Sequence, residues 1–352
     1  MIAAVYRGAK ALQIEEVEIP EIGDRDVLVK VSVCGVCGTD LKKISLGLQP
    51  PPRIYGHETT GTICKVGSEV AKWREGDRVA VNHHIPCMQL DCFYCSRRAF
   101  AQCPIYKKTG ATAGFEPAGG GFAEYVRVMD WCVDGMIKIP EGVSFEEASF
   151  VEPLNTCLKG VHIAGIQSGD TVLVIGQGPI GMLFTQLAVL QGAKVVATDK
   201  IAHRREISLS FGAKAALHPD EDVSSAVMGL SEGRGADVGI VAVPHVQVIS
   251  EAFAQVRPCG KVLLFAQTRL KDFFQVDAGE VCMNEKALIG SYSSDYSLQD
   301  EAASLIFSGK VNVGPLITHR FPLSQINEAL HLAMNPTEQS LKILTTPSSG
   351  CI

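Results

Sequence analysis

The sequence predicts an α/β protein in two parts, a mostly-β body at the N-terminal end followed by a doubly wound parallel sheet. Three observations predict it. From residue 1 to about 150, short apolar runs are separated by Gly, Pro, Asp and Asn, the pattern of a compact all-β body. From about residue 155 onward, short apolar strands alternate with helical stretches, the rhythm of a parallel sheet covered by helices. The stretch TVLVIGQGPIGMLFTQLAVLQGAKVVATD, residues 171–199, packs strand, glycine turn, helix and second strand into one unit.

In the first part, Val27, Val29, Val31 and Val33 alternate with Lys30 and Ser32, a period-two signal for a half-buried strand. Residues 61–66, 78–81 and 122–128 give further short strands. Between Cys87 and Cys103 the strand signal disappears and cysteines replace it. In the second part, 171–175 and 194–198 are joined by strand candidates at 236–243, 260–266 and 287–292. Helical stretches at 202–211, 223–230 and 246–256 separate them. The tail holds helical patterns at 298–308 and 323–334 and a strand-like run at 340–344. No internal repeat is visible.

The central unit is built for a nucleotide. Residues 171–175 are nearly all apolar and rich in β-branched side chains, as in a strand buried on both faces. Gly176, Gly178, Pro179, Ile180 and Gly181 then form a G-x-G-x-x-G turn. Gly176 allows the tight turn, Gly178 lets backbone approach a pyrophosphate, and Gly181 lets helix and strand pack closely. The N–H groups and positive dipole end of the helix face the phosphates. Ile180, Leu183, Phe184, Leu187 and Leu190 repeat at helical spacing, and Gly192 sits where the helix stops. Asp199 ends the second strand, placed to accept hydrogen bonds from a ribose; its charge favours NAD over NADP. Taken alone it is an ordinary turn acid, and Lys200 and Arg204 beside it keep NADP open.

Bulk properties narrow the field. A chain of 352 residues suggests two domains. Hydrophobic content of 46% with 20% charged residues fits a globular protein with a sizeable core. A net charge of −6 argues against a nucleic-acid or anionic-membrane surface as the main partner. No apolar run reaches the length of a membrane span, and MIAAVYRGAK lacks a signal-peptide layout. A cytoplasmic location is therefore expected. In that reducing setting the twelve cysteines point to thiolate metal ligands rather than disulfides.

Cys87, Cys92, Cys95 and Cys103 lie within seventeen residues, close enough for a closed tetrahedral Zn²⁺ site that ties down a loop with little core of its own. The rivals are four unrelated buried cysteines, or a nucleic-acid zinc ribbon, for which Arg97 and Arg98 alone make too small a basic face. A second set is dispersed: Cys37 in GVCGTD, His57 and Glu58 in YGHE, and Glu152 in VEPLNTC. Each alone is a weak signal. Together they offer a thiolate, an imidazole and one or two carboxylates, a mix suited to catalytic zinc with an open position.

With these motifs in order, CGTD, GHE, the four-cysteine lobe, EPL, GQGPIG and Asp199, the whole chain resembles the zinc-dependent medium-chain dehydrogenase/reductases. The similarity is to the branch with sorbitol, threonine, butanediol and galactitol-phosphate dehydrogenases. The resemblance implies a GroES-like catalytic domain over 1–153 with its zinc lobe at 87–103, a Rossmann NAD-binding domain over 154–291, and a C-terminal return to the catalytic domain over 292–352. It implies one catalytic zinc at Cys37 and His57, completed by Glu58 or Glu152, and one structural zinc in the lobe. It also implies that Phe265, Ala266 and Gln267, then Ser291 and Tyr292, close around the nicotinamide. Homodimers or homotetramers acting on a small alcohol or ketone are expected.

Three departures from the family pattern stand out. The lobe runs C-x2-C-x2-C-x7-C in the family, but here Gln89 takes the first place and Cys87 lies two residues upstream; the loop is expected to bulge so that Cys87 still binds. Glu152 stands where alcohol dehydrogenases carry cysteine, which places the chain with polyol and threonine relatives. Lys42 stands where some relatives carry a relay histidine, so the outer proton path departs from theirs; the Thr39 hydroxyl is expected to take the proton onward with Glu152 or metal-bound water assisting, and His84 is either a pocket histidine or a solvent-facing strand end. The expected reaction is hydride transfer between a secondary alcohol (polyol, sugar alcohol, diol or amino alcohol) and NAD. The rival is a zinc-free or non-catalytic NAD binder, against which Cys37, Thr39, His57 and Glu152 speak.

Overall fold

The computed structural model describes residues 1–8, 10–82, 84–108, 119–266 and 271–347. The chain divides into two compact units, one of Met1–Pro153 with Ser294–Ile352 and one of Leu154–Ser293.

In the first unit the valine alternation becomes the strand Val27–Gly35, with Lys30 on its exposed side. Val27, Val29 and Val31 pack with Ile63, Val79 and Val126 in one core cluster. Among the described residues this strand is the hub of a seven-stranded sheet. Its neighbours are Glu58–Val66, Tyr125–Val128 and Lys342–Thr346, the last brought back from the chain's other end. Gly35 pairs with both Glu58 and Leu344. Residues near both ends of the sequence therefore meet at one point of the sheet. The all-β expectation omits the helix Gly38–Leu46, whose start depends on a cap rather than on an apolar period. It also leaves out the hairpin Ile2–Tyr6 and Leu12–Glu16, whose second strand is mostly exposed.

In the second unit six parallel strands run in the order Ala215–Leu217, Lys194–Thr198, Thr171–Ile175, Ala236–Val241, Val256–Leu264 and Ala287–Gly290. This is the doubly wound arrangement, with the first strand at the point where strand order reverses. Val172, Leu173 and Val174 are fully buried, as their apolar run requires. The short strand Ala215–Leu217, half-buried at the sheet edge, has no sequence signal strong enough to separate it from a loop. The strand expected over 236–243 stops at Val241, whose carbonyl accepts from both Phe265 N and Ala266 N. No helix among the described residues is long and apolar enough to cross a membrane.

Candidate metal centres and cofactor cradle

Cys37 is the N-cap of the helix Gly38–Leu46, with extended backbone, and its sulfur accepts from Thr39 N at 3.4 Å. Asp40, three residues on, accepts from Cys37 N at 3.2 Å and closes the capping box. This carboxylate is completely buried and does more than cap. Its Oδ1 also receives Gly56 N at 3.4 Å and lies 3.2 Å from His57 Nδ1. One acid thus fastens the helix start to the turn that presents His57 and Glu58. Gly56 has φ +95°, and a Cβ there would press on Cys34 Sγ at 2.7 Å and on Phe122.

The result is a convergent donor set: ligand atoms of Cys37, His57 and Glu58 all lie within 4.8 Å of one another. With Nδ1 held by Asp40, the other ring nitrogen of His57 is left for a metal, the usual carboxylate–histidine support of a metal site. A soft thiolate, an imidazole and a carboxylate suit zinc. Burial disfavours the His57 imidazolium, but Asp40 and Cys37 outweigh it and raise its pKa well above the ordinary value. Burial likewise opposes the Asp40 carboxylate, and the charge and hydrogen bond of His57 still hold its pKa below the usual range.

Glu152, in the first turn of the helix Val151–Ala164, lies outside that 4.8 Å group. It is nevertheless next to it. Burial pushes its carboxyl up to about 7, with Glu58 and Asp40 pushing the same way and His57 and Lys342 opposing. Thr39 is half-buried beside Cys37. The His84 ring stands edge-on to His57 at 6.3 Å and tilted against Tyr106 at 5.4 Å.

Two residues of this centre were not assigned from the sequence. Asp40 is one, and its signal was present: an acid at the third position after a capping residue. Lys342 is the other. It is buried, forms an ion pair with Glu58 Oε2, and donates to Val36 O at 3.2 Å. A Cβ on Gly35 would collide with the Glu58 carboxylate. Nothing near Glu58 in sequence announces Lys342, since sheet pairing alone brings it there.

The lobe gathers Cys87, Cys92, Cys95 and Cys103 with their sulfurs within 4.8 Å, a four-thiolate set that fits a closed zinc site. Met88 adopts a left-handed φ of 54°, which makes the bulge, and Gln89 is exposed. Burial opposes the Cys103 thiolate, yet N–H groups of Cys87, Tyr106 and Ile105 directed at it bring its pKa down to about 7. The lobe's own core is small: Cys95, Phe100, Ala101, Cys103 and Tyr106.

In the second unit the three glycines of the turn differ in their surroundings. Gly176 has φ +91° and no room for a Cβ beside Val243. Gly178, the N-cap of the helix Pro179–Leu190, has open space around it. A Cβ on Gly181 would strike Gly176 O. Ile180 follows Pro179 in the first turn of that helix. Asp199 accepts from Gln177 N at 2.7 Å and from Ile201 N at 2.8 Å, so it also buttresses the turn. Arg204 lies 3.9 Å from its carboxylate, and Lys200 is exposed. Phe265 stacks edge-on to Phe184 at 4.8 Å, and Ala266 follows it. Ser291 N donates to Leu264 O, and Tyr292 offers its carbonyl to Lys159. All follow the carboxyl ends of parallel strands, where such folds bind ligands. Gln267 lies outside the described residues.

Comparison with known proteins agrees with this geometry. Residues 23–141 match the alcohol dehydrogenase GroES-like domain, and residues 179–308 match the zinc-binding dehydrogenase domain. A sorbitol dehydrogenase of Bombyx mori is 32% identical over 97% of this chain and 97% of its own length. The chain belongs to the zinc-type medium-chain dehydrogenase/reductases. Among solved structures of this type, a zinc-binding dehydrogenase from Sinorhizobium meliloti bound to NADP superposes with a TM-score of 0.88 at 29% identity, covering 98% of this chain and 99% of that one. Galactitol-1-phosphate dehydrogenase from Escherichia coli gives 0.86 at 28%, covering 99% and 100%. As a member of the family this dehydrogenase is an oxidoreductase that uses zinc and a nicotinamide dinucleotide, and the zinc-ribbon nucleic-acid reading falls away.

Proposed function

We propose that this dehydrogenase interconverts a secondary alcohol of a polyol or sugar alcohol and the matching ketone, with NAD as the hydride carrier. The observation that carries the proposal is the convergence of Cys37, His57 and Glu58, with Asp40 behind His57. Cys37, His57 and Glu58 would hold a zinc ion, which would supply Lewis-acid chemistry to an alcohol hydroxyl. The glycine turn at Gly176–Gly181 and the segments after the parallel strands would hold a nicotinamide dinucleotide, which would supply the hydride-accepting chemistry.

The chain's own residues do the rest. Asp40 fixes the ring of His57 and directs its second nitrogen inward. Lys342 holds one oxygen of Glu58 and balances its charge. The Thr39 hydroxyl, two residues beyond Cys37, receives the proton from the substrate oxygen. Glu152, its carboxyl pushed up to about 7, holds or releases a proton near neutral pH. The polyol class rests on the relatives named for sorbitol and galactitol-1-phosphate. The Asp199 carboxylate favours ribose hydroxyls over a 2′-phosphate. Arg204 at 3.9 Å supports NADP as the second reading.

The test is a panel of diols, polyols and amino alcohols with NAD and with NADP, following reduced-nicotinamide absorbance, on protein of measured zinc content. About two zinc ions per chain and turnover with NAD are expected. One zinc per chain and no turnover with any alcohol would favour the zinc-free or non-catalytic reading. A higher kcat/KM with NADP would replace NAD.

A further inference from the structure

The cysteine lobe carries an apolar face that its metal site does not use. Met88, Leu90, Phe93, Tyr94 and Ile105 are all exposed, Leu90 to 96% and Phe93 to 60%. So many large apolar side chains on one short loop mark an interaction site rather than ordinary surface. Between Cys87 and Cys103 the charged residues are Arg97 and Arg98 against Asp91, all exposed. The Arg97 guanidinium lies 3.9 Å above the Phe93 ring, and its Nη1 donates to Phe93 O at 3.2 Å. Phe93 in turn meets Tyr94 edge-on at 5.4 Å. The long Arg97 side chain is thus already held in place, which lowers the entropy lost when it binds. Aromatic residues, Met and Arg are also the types enriched at protein interfaces.

The same unit holds a hollow of opposite character. A cavity of about 370 Å³ is lined by Met129 and Trp131, by the carboxylates of Asp24, Asp26, Glu69 and Asp130, and by Arg25 and Arg127. That size admits a small ligand or one long side chain. Asp26 is buried and committed to Arg127, whose Nε donates to its Oδ2 at 2.8 Å. Arg25 is well exposed and lies 3.3 Å from Asp130 and 3.9 Å from Glu69. One guanidinium against three remaining carboxylates leaves the hollow negative. Trp131 is 44% exposed. An indole beside carboxylates suits an incoming guanidinium by charge and by stacking.

The apolar side chains of the lobe and Trp131 are exposed together in the single chain, so neither covers the other within it. The two features are nevertheless neighbours. Ile85, at the root of the lobe, packs on Gly135, four residues past Trp131; a Cβ on that glycine would meet Ile85 Cδ1 at 2.3 Å. A cationic apolar tip beside an acidic aromatic hollow makes a self-complementary surface. Turned about a two-fold axis, each of two copies places its tip at the other's hollow. We propose that the lobe face of one copy docks on the Asp24–Glu69–Trp131 cavity of a second copy, reciprocally, with Arg97 as the anchor. Each copy carries a net charge of −6, and the local attraction of Arg97 for the hollow offsets that mutual repulsion.

The experiment follows the mass of the zinc-loaded full chain by sedimentation and light scattering over a range of concentrations. The samples are wild type, Arg97→Glu, Glu69→Arg, and an equimolar mixture of the two variants, with circular dichroism and zinc content confirming each fold. Wild type is expected to assemble. Each variant alone sets like charges against one another across both contacts, so its dissociation constant should rise about 10- to 100-fold. In the mixture every contact again joins opposite charges, and association should return to the wild-type level. Trp131 emission should shift to the blue as the mass rises, since the chain's other tryptophan, Trp73, is buried in the single chain. A wild type of one chain at every concentration, variants that assemble as tightly as wild type, or a mixture that assembles no better than its components would each overturn the inference. Should Arg97→Glu not fold, Glu69→Arg alone decides, by assembling less tightly than wild type or equally tightly.

Discussion

The four-cysteine lobe and the Cys37–His57–Glu58 cluster each bring their donor atoms within 4.8 Å, by opposite routes. The lobe draws four like ligands from one short loop with a core of five small or aromatic residues. The other cluster takes unlike ligands from a helix cap, a glycine turn and a strand start, and is braced by Asp40 and by Lys342 from the C-terminal strand. The lobe therefore depends on its metal for shape, whereas the second cluster depends on the fold for its geometry. A closed four-thiolate set has no place for substrate, while a three-donor set keeps one.

Variants should separate the two along these lines. Cys103→Ser is expected to have the largest effect: loss of the lobe's zinc and of more than about 4 kcal/mol of stability, read as a fall in Tm together with zinc content. A variant that keeps its Tm would mean that the lobe is held by packing. Asp40→Asn should leave the fold standing but lower the affinity of the second cluster for zinc by about 10- to 100-fold, measured by competition with a chelator. An unchanged affinity would remove Asp40 from the support of His57.

The smallest effect tests how the C-terminal return is fastened. Arg320 Nε and Nη2 meet both oxygens of Glu146 at 2.6 Å, and the hydrogen bond from Arg320 lowers the Glu146 pKa. A carboxyl depressed on folding adds stability above its unfolded pKa of about 4.3 and loses it as pH falls through the lower folded value. Both side chains are partly exposed, so Arg320→Gln should cost only about 0.2–1 kcal/mol at pH 7. In urea unfolding the gap between the variant and wild type should shrink below about pH 4. A gap that is constant with pH would show that the pair is not ionic in effect.

The same contrast explains what the sequence made legible. The lobe could be read because its ligands are local and of one type, even with Cys87 displaced, and the Gly176 turn could be read because its strand, helix and terminal acid are contiguous. Valine alternation revealed the strand Val27–Gly35 for the same reason. The second cluster was only half legible. CGTD and GHE supplied Cys37 and His57, but the choice between Glu58 and Glu152 depended on which carboxylate the fold brings within reach. Lys342 was invisible because strand pairing across the chain's full length places it.

The most direct test of this division of labour is the zinc content of purified Cys37→Ser, measured by elemental analysis alongside its circular dichroism and alcohol oxidation. The account predicts about one zinc per chain, an unchanged fold and a loss of activity of more than about 100-fold. Two zinc ions per chain with normal turnover would contradict it.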